Sequence, residues 1–486
     1  MLLAVAAILS TSTTLGIVAE ASSVSESQLT FVGAPLGGTV STVDRSAWSS
    51  ALDGVGRAVL ALPAPERSTP VQGVPAPFIG PRPDGPGAAD LPQLSGTALL
   101  SGLAELSRAE VRDFTKQHPD AVAGLVTNPP AARDVAAWWD GTAAGERATL
   151  VGAMPPGVVG QLEGLPYGVR DAANRNLLAQ SERDIRDRMA GSIGRAERDE
   201  LTTRLHMLDQ VAAALAAGTV DAPRTLVSLD VTGDGRAVIA VGDLATADYV
   251  SYLVPGMFFG VDAQIVAWSD TASTLVTEQR NWLARLTPES DAKVAAIAWI
   301  GYQTPTLVNV ASMELAREGR DALTDSLTGL RAARGEQQPY VSILAHSYGS
   351  TAALLALEEN DVSVDALAMV GSPGSPARSV GELHVIAGNV WVGGAEWDPI
   401  PASGAFGSQP MSVEYGAHHF GVAGGFDPLT QQHLTGALAH NDYFVAGGES
   451  FRNLALIGIG QGRYVLGNDG VAASGVLTRG LSPRIS

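Results

Sequence analysis

The chain has no cysteine, and Lys116 and Lys293 are the only lysines among its 486 residues. The absence of cysteine excludes disulfides, thiol catalysis and metal sites with cysteine ligands. Charged residues make up 17% of the sequence, and the formal net charge is −19. A chain this negative is not expected to bind nucleic acid or an anionic membrane surface. Apolar residues reach 45%, which is enough for a sizeable core.

The first 21 residues are largely apolar and contain no basic residue. A secretory signal normally begins with a basic region. Hydroxyl residues from Ser10 to Thr14 interrupt the stretch, which weakens a membrane-spanning interpretation. Three interpretations stay open: a cleaved signal, an anchor to a membrane or cell envelope, or a packing helix. We expect a secreted or membrane-anchored protein, with a cytoplasmic location as the alternative.

Composition divides the rest of the chain into three regions. Residues 22–95 are a proline-rich, poorly defined region, with nine prolines between Pro63 and Pro92. Apolar residues at helical spacing predict a helical domain over 96–222. From residue 223 to 486, strand patterns alternate with helical ones, which predicts an α/β fold with a mostly parallel sheet and helices on both faces.

The elements of this last region are predicted from periodicity and turn residues. Two strands joined at Gly233-Asp-Gly235 read as an antiparallel hairpin. Strands are predicted at 225–231, 237–242, 249–254, 294–300, 341–345, 366–370 and 385–392, and helical segments at 314–330, 352–359 and 433–439.

Ser347 stands at the most informative point of the sequence, between an apolar strand pattern and a helical one. The small residues Ala345 and Gly349 flank it at two positions on either side. This is the pattern of a nucleophile elbow, in which a tight turn lifts a serine hydroxyl above a sheet. Ser192 has similar small neighbours, but it follows a charged helical stretch instead of a strand. The sequence context therefore selects Ser347 as the candidate nucleophile.

A serine nucleophile needs a base to take its proton and an acid to orient that base, and both are expected downstream of the elbow. Asp398 is the preferred acid because it follows the predicted strand 385–392 and is held by a proline. Asp427 lies in a glycine-rich loop, and Glu396 is two residues before Asp398. Both remain alternatives.

Four histidines follow the elbow and qualify as the base by chain order: His418, His419, His433 and His440. His440 is preferred because it lies in a polar loop near the end of the α/β pattern. His346 adjoins Ser347 but should point away from it on an elbow, so it is interpreted as structural support. The backbone N–H groups of Met257 and Tyr348 are the expected oxyanion-hole donors.

Several of these motifs also resemble a known family, the actinobacterial α/β-hydrolases grouped as domain of unknown function 1023. The resemblance covers roughly 136–444 and rests on these motifs: Ala136-Ala-Trp-Trp-Asp140, Gly164-Leu-Pro166, Arg170-Asp-Ala-Ala-Asn-Arg175, Leu253-Val-Pro-Gly256, Ala345-His-Ser-Tyr-Gly349, Asp398-Pro399 and His440-Asn-Asp-Tyr443. It implies an α/β-hydrolase fold over 223–486 behind a helical N-terminal domain. It also supports Ser347, Asp398 and His440 as the catalytic triad, and it implies no substrate.

The expected activity is hydrolysis of an ester-like acyl bond through an acyl-serine intermediate, closer to an esterase or lipase than to a peptidase or thioesterase. The substrate is expected to be a small or lipid-like acyl compound, and no metal or organic cofactor is needed. The segment from Pro401 to Ala439 is expected to form a lid or part of the acyl pocket. The alternative is a catalytically inactive binding or scaffold protein on the same fold.

Overall fold

The computed structural model describes residues 91–359 and 362–467 of the chain. The predicted apolar segment 1–21 lies outside the described residues, and so does the proline-rich region apart from residues 91–95. Among those five residues, Leu91–Gln93 forms a short 3-10 turn. No helix within the described ranges is both long and apolar enough to cross a bilayer.

Helices fill the chain from Gly96 to Ala216. They are α1 Gly96–Ala104, α2 Arg108–Gln117, α3 Pro119–Thr127, α4 Ala132–Gly141, α5 Ala144–Val151, α6 Pro156–Gln161, α7 Tyr167–Ala190 and α8 Arg195–Ala216. Helix α2 begins with a reciprocal capping pair. The Glu110 N–H donates to the hydroxyl of Ser107 over 3.4 Å, and the Glu110 carboxylate accepts from the Ser107 N–H over 2.8 Å. Such pairs satisfy the free amides at a helix start.

Strands begin at Arg224 and alternate with longer helices. The strands are β1 Arg224–Asp230, β2 Arg236–Val241, β3 Tyr249–Val254, β4 Val294–Ile300, β5 Tyr340–His346, β6 Ala366–Val370, β7 Val390–Gly393, β8 His418–His419, β9 Gly425–Phe426 and β10 His433–Leu434. The helices between and after them are α9 Val261–Leu286, α10 Glu314–Arg334, α11 Tyr348–Glu359 and α12 Glu449–Gly458.

Eight of these strands form one sheet in the order β1-β2-β4-β3-β5-β6-β7-β8. Strand β2 pairs antiparallel with β1 and β4, and every other pairing in this sheet is parallel. The hairpin turn between β1 and β2 contains Gly233 and Gly235 with φ of +56° and +78°, which glycine adopts without steric cost. The predicted α/β sheet with an opening hairpin is therefore confirmed, and the carboxyl ends of β3 to β7 lie at one edge.

Two predicted elements are wrong. The predicted strand 385–392 is extended only from Val390, because Ala387 and Gly388 have φ of +55° and +64° and form a 3-10 turn. The predicted helical segment 433–439 contains strand β10 instead, which pairs with β9. Its backbone passes so close to Ala423 that a Cβ on Gly436 would lie 2.2 Å from the Ala423 oxygen. Long-range pairing thus overrides the local helical pattern.

Helices cover both faces of the sheet, so neighbouring strand residues point into two different cores. Leu253 packs with α8, α9 and α12 on one face, whereas Tyr252 packs with α10 and α11 on the other. Both side chains are fully buried. Because the central strands β4 and β6 are buried on both sides, their sequences are apolar throughout instead of alternating, as is typical of parallel sheets.

The helical region is attached to the sheet along its edge strand β1. Asp171 on α7 accepts the N–H of Leu226 over 2.6 Å, and the Asn174 amide donates to the carbonyls of Leu226 and Val227 over 2.9 and 3.0 Å. Side chains thereby satisfy backbone groups that an edge strand would leave unpaired. Residues of the 170–175 motif therefore hold α7 against the sheet.

Candidate active site

Ser347 forms the turn between β5 and α11 at the carboxyl edge of the sheet. Its φ is +53°, in the left-handed region that non-glycine residues rarely occupy. Its N–H donates to the carbonyl of Val370 on β6 over 3.0 Å, and its own carbonyl accepts from the Ser350 hydroxyl over 2.6 Å. Hydrogen bonds on both sides therefore hold a backbone conformation that costs of order 1 kcal/mol or more by itself.

Small residues allow this turn to form. A Cβ on Gly349 would lie 2.2 Å from the carbonyl oxygen of Pro255, and a Cβ on Gly256 would lie 2.6 Å from the Cβ of Ser347. Ala345 is fully buried between Val254 of β3 and Met369 of β6. The backbones of strand and helix therefore approach each other as the elbow pattern predicts.

Ser347, His440 and Asp398 form one hydrogen-bonded chain. The hydroxyl Oγ of Ser347 lies 2.8 Å from Nε2 of His440, and Nδ1 of His440 lies 2.8 Å from Oδ2 of Asp398. Since a carboxylate only accepts, Nδ1 donates to Asp398, and Nε2 is free to accept from the serine hydroxyl. All three residues are buried. The geometry is that of a nucleophile, a base and an orienting acid.

Asp398 has three hydrogen-bond donors around its carboxylate. Besides His440, the hydroxyl of Tyr443 donates to Oδ2 over 2.6 Å, and the N–H of Ile400 donates to Oδ1 over 3.0 Å. Burial by itself would raise the pKa of Asp398, but the hydrogen bond and charge of His440, with the Tyr443 and Ile400 donors, hold this pKa below its ordinary value. The carboxylate is therefore ionised at neutral pH.

His346 contacts the same histidine from behind. Burial, together with the neighbouring His440 ring, lowers the pKa of His346 to about 3, so the ring is neutral. Its Nε2 lies 2.7 Å from the carbonyl oxygen of His440, which can only accept, so Nε2 carries the proton. The two rings lie 4.6 Å apart. His346 thus holds the backbone of His440, in agreement with the supporting role predicted for it.

Met257 and Tyr348, the predicted oxyanion donors, directly follow Gly256 and Ser347, whose backbones approach each other closely. Tyr348 is the first residue of α11, where helix amides have no acceptor within the helix and the helix dipole favours negative charge. No acceptor for either amide is found within the described part of the chain. The tyrosine is held in place because its hydroxyl donates to the Ser312 carbonyl over 2.5 Å. Next to Met257, the Phe258 N–H donates to the Pro305 carbonyl over 3.0 Å.

Comparison with known proteins also indicates an alpha/beta hydrolase. The sequence profile of the family described as alpha/beta hydrolase matches residues 230–407, which include Ser347 and Asp398 but end before His440. The uncharacterized protein Rv0963c of Mycobacterium tuberculosis is 30% identical over 203 residues, covering 39% of this chain and 74% of that protein. The chain belongs to the alpha/beta hydrolase family.

A longer match is to the uncharacterized protein Rv2079 of Mycobacterium tuberculosis, 28% identical over 387 residues. The match covers 70% of this chain and 57% of that protein, so the chain spans little more than half of its relative's length.

Two solved esterase structures are similar to this chain only distantly. An arylesterase is 12% identical and covers 59% of this chain and 97% of its own, with a TM-score of 0.30. Carboxyl esterase 2 of Tuber melanosporum is 11% identical, and the match covers 51% of this chain and 89% of the esterase, with a TM-score of 0.29. Likenesses this weak carry no argument about activity.

The alternative histidines of the sequence lie elsewhere in this alpha/beta hydrolase. His418 and His419 form the short edge strand β8, where the His418 ring packs 4.8 Å from Trp391. His433 is exposed on β10. None of the three has a hydrogen bond to Ser347 or Asp398 within the described residues.

The alternative acids and the alternative serine are also outside the hydrogen-bonded chain. Asp427 forms a buried ion pair with Arg452, with 3.0 Å between Oδ2 and Nε. Glu396 is exposed. Ser192 is exposed in the turn between α7 and α8, far from any strand end in the sequence.

Sequence reasoning missed two residues of the site, Tyr443 and Gly371. Tyr443 is the last residue of the His440-Asn-Asp-Tyr443 motif, so its spacing was visible while its contact with Asp398 was not. Gly371 follows β6 with φ of +61°, and a Cβ there would lie 2.8 Å from Cε1 of His440 and 3.0 Å from Oδ2 of Asp398. A glycine directly after a strand, before Ser372-Pro373, was the available signal.

A large cavity lies away from this site. It has a volume of about 1710 Å³ between the helical region and the edge of the sheet, and its walls include Val126, Gln161, Leu229 and Trp299. None of the three hydrogen-bonded residues Ser347, Asp398 and His440 lines it. A cavity without these three residues lacks the hydrogen-bonded serine, histidine and aspartate. The candidate active site is therefore the group Ser347, His440 and Asp398 at the carboxyl edge of the sheet.

Proposed function

We propose that this protein is a serine hydrolase that cleaves an ester-like acyl bond, with Ser347 as nucleophile, His440 as base and Asp398 as orienting acid. The observation that supports the proposal most is the continuous hydrogen-bonded chain, 2.8 Å from Ser347 to His440 and 2.8 Å from His440 to Asp398. The finer family assignment, to domain of unknown function 1023, is part of this proposal.

In the acylation step, Oγ of Ser347 attacks the carbonyl carbon of the ester while its proton moves to Nε2 of His440. The ionised Asp398 stabilises the imidazolium through its bond to Nδ1. The amides of Met257 and Tyr348 donate to the oxyanion of the tetrahedral intermediate, which is worth about 3 kcal/mol for each such donor. The intermediate then collapses, the alcohol leaves with the proton from His440, and an acyl ester on Ser347 remains.

In the deacylation step, a water molecule gives a proton to Nε2 of His440 and attacks the acyl carbon. A second tetrahedral intermediate forms in the same oxyanion site and breaks the bond to Oγ of Ser347, which takes the proton back from His440. The products are a carboxylic acid and the free enzyme. Each step moves one proton between oxygen and Nε2, and the imidazole never changes its bond to Asp398.

A fluorophosphonate probe tests the proposal directly, because it reacts only with an activated serine. Wild type should be labelled and Ser347→Ala should not be. Ser192→Ala is the matched control, since it removes an exposed serine with similar small neighbours and should leave labelling unchanged. If folded wild type is not labelled and hydrolyses no p-nitrophenyl acetate, the chain is instead the inactive binding or scaffold protein of the alternative hypothesis.

A further inference from the structure

Four loops lie at the edge of the sheet that carries the candidate site, and they contain almost no charge. The loops are 255–260 after β3, 301–313 after β4, 394–413 after β7 and 435–448 around His440, and we call them the site loops. Their only charged residues are Glu396, Asp398 and Asp442, although 17% of the whole chain is charged. None of the site loops contains lysine or arginine, and the loop after β6 adds a single arginine, Arg378.

This composition restricts the substrate. Enzymes that bind phosphate, carboxylate or nucleotide groups supply arginine, lysine or a helix terminus to them. The site loops supply no cationic side chain, and the first turn of α11 is already assigned to the oxyanion. A substrate that carried a negative charge near its acyl bond would therefore lose hydration without gaining a cationic partner from the site loops.

The site loops also expose large apolar side chains next to the site residues. Trp397, which precedes Asp398, is 72% exposed, and Leu438, two residues before His440, is 64% exposed. Val308 is 93% exposed, in the loop whose Pro305 accepts the N–H of Phe258 beside Met257. Single exposed apolar residues are ordinary, but three loops each present one: next to Asp398, two residues before His440 and three residues after Pro305.

We propose that the substrate of this site is an uncharged acyl ester taken from the surface of a neutral lipid phase, with Val308, Trp397 and Leu438 as the contacts to that surface. The inference rests on the proposed function and names its substrate class. A net charge of −19 disfavours an anionic surface and leaves a neutral one. Apolar contacts on three separate loops suit a surface better than a single soluble molecule, because an extended surface can be contacted at several separate points at once.

Matched substrates test the charge part of this proposal. The p-nitrophenyl monoester of octanedioic acid differs from p-nitrophenyl octanoate by one carboxylate at the far end of a chain of equal length. We expect kcat/KM to be at least about tenfold lower for the charged ester, measured below the solubility limit of both. Equal values would overturn the proposal.

Matched variants test the surface part. The rate on tributyrin should rise steeply once its concentration exceeds the solubility limit and an emulsion forms. In Val308→Glu, the ratio of the rate on emulsified tributyrin to the rate on dissolved p-nitrophenyl acetate should fall about tenfold or more. Val220→Glu is the control, because Val220 is 99% exposed between α8 and β1, outside the site loops, and this ratio should stay unchanged.

The outcomes separate the two proposals. If p-nitrophenyl acetate is hydrolysed and Ser347 is labelled, but emulsion gives no increase or both glutamate variants behave alike, the lipid-surface inference is wrong and the serine hydrolase stands. If neither labelling nor hydrolysis of the soluble ester occurs, both fail together.

Discussion

The hydroxyl of Tyr443 donates a hydrogen bond of 2.6 Å to Oδ2 of Asp398. That oxygen also accepts from Nδ1 of His440, so a single carboxylate oxygen is shared between the tyrosine and the candidate base. The same hydroxyl accepts the N–H of Ala395 over 2.9 Å. Burial and the charge of Asp398 raise the pKa of Tyr443 well above its ordinary value, so the hydroxyl keeps its proton. Tyr443 therefore positions Asp398 from a fully buried place in the core.

Tyr443→Phe should lower kcat about tenfold with little change in KM, because Asp398 loses one of its orienting donors. The free energy of unfolding should fall by about 1–3 kcal/mol, since the buried Ala395 N–H loses its acceptor. Tyr415→Phe is the matched control: Tyr415 is also buried, but its hydroxyl has no partner within the described residues. An unchanged kcat in Tyr443→Phe would mean that the tyrosine only fills space.

Gly371→Ala should lower kcat/KM about 100-fold or more. The new Cβ would lie 2.8 Å from Cε1 of His440 and 3.0 Å from Oδ2 of Asp398, so the pair must move apart. Gly233→Ala has a similar backbone cost, with φ of +56°, and no atom within 4 Å of the new Cβ. Both variants should lose stability, Gly371→Ala by at least as much as Gly233→Ala, and only Gly371→Ala should lose activity. Equal activities in the two variants would contradict a close contact between residue 371 and the pair His440 and Asp398.

His440→Ala should reduce ester hydrolysis by a factor on the order of 1000 or more, because Ser347 loses its proton acceptor. His419→Ala should keep activity within about twofold, since His419 lies on edge strand β8 and has no bond to the triad residues within the described ranges. Steady-state hydrolysis of p-nitrophenyl acetate measures both. The reverse result would assign the base to His419 and remove His440 from the mechanism.

Asp427→Asn should destabilise the fold while leaving kcat largely unchanged. Asp427 and Arg452 are both buried, and the arginine would lose its charged partner, at a cost of about 3 kcal/mol. Asp398→Asn should do the opposite, with kcat reduced on the order of 10000-fold and a smaller loss of stability. Loss of activity in Asp427→Asn at a temperature where it is folded would instead favour Asp427 as the acid.

The effect of Asp427→Asn on stability should depend on pH. Burial alone would raise the pKa of Asp427, but hydrogen bonds from Arg452, Leu429 and Thr430 and the arginine charge lower it below the ordinary 3.8. A lowered folded pKa means that the carboxylate stabilises the fold above pH 3.8 and that this contribution is lost as the pH falls through the folded pKa. Urea unfolding of both proteins should show a constant gap near neutral pH that narrows below pH 3.8. A gap that widens in acid would contradict the assignment.

Predictions from the sequence succeeded where the pattern within a single segment was enough to define the element. Strands β3, β4 and β6 have the predicted bounds because each is an apolar run that is buried on both faces. They failed at 385–392 and 433–439. In the first, left-handed residues end the extended backbone, and in the second, pairing with β9 replaces the helical pattern. Local pattern cannot report a partner that lies elsewhere in the chain.

The sequence by itself determined the elbow at Ser347, because a strand, a small-residue turn and a helix are all local in the chain. It also determined the order of elements that makes a mostly parallel sheet. Only the tertiary structure decided which aspartate and histidine meet the serine, since 42 residues separate Asp398 from His440 and 93 separate His440 from Ser347. The contacts of Tyr443 and Gly371 belong to the same class. They exist because parallel strands end at one edge of the sheet, which brings distant loops within hydrogen-bonding distance.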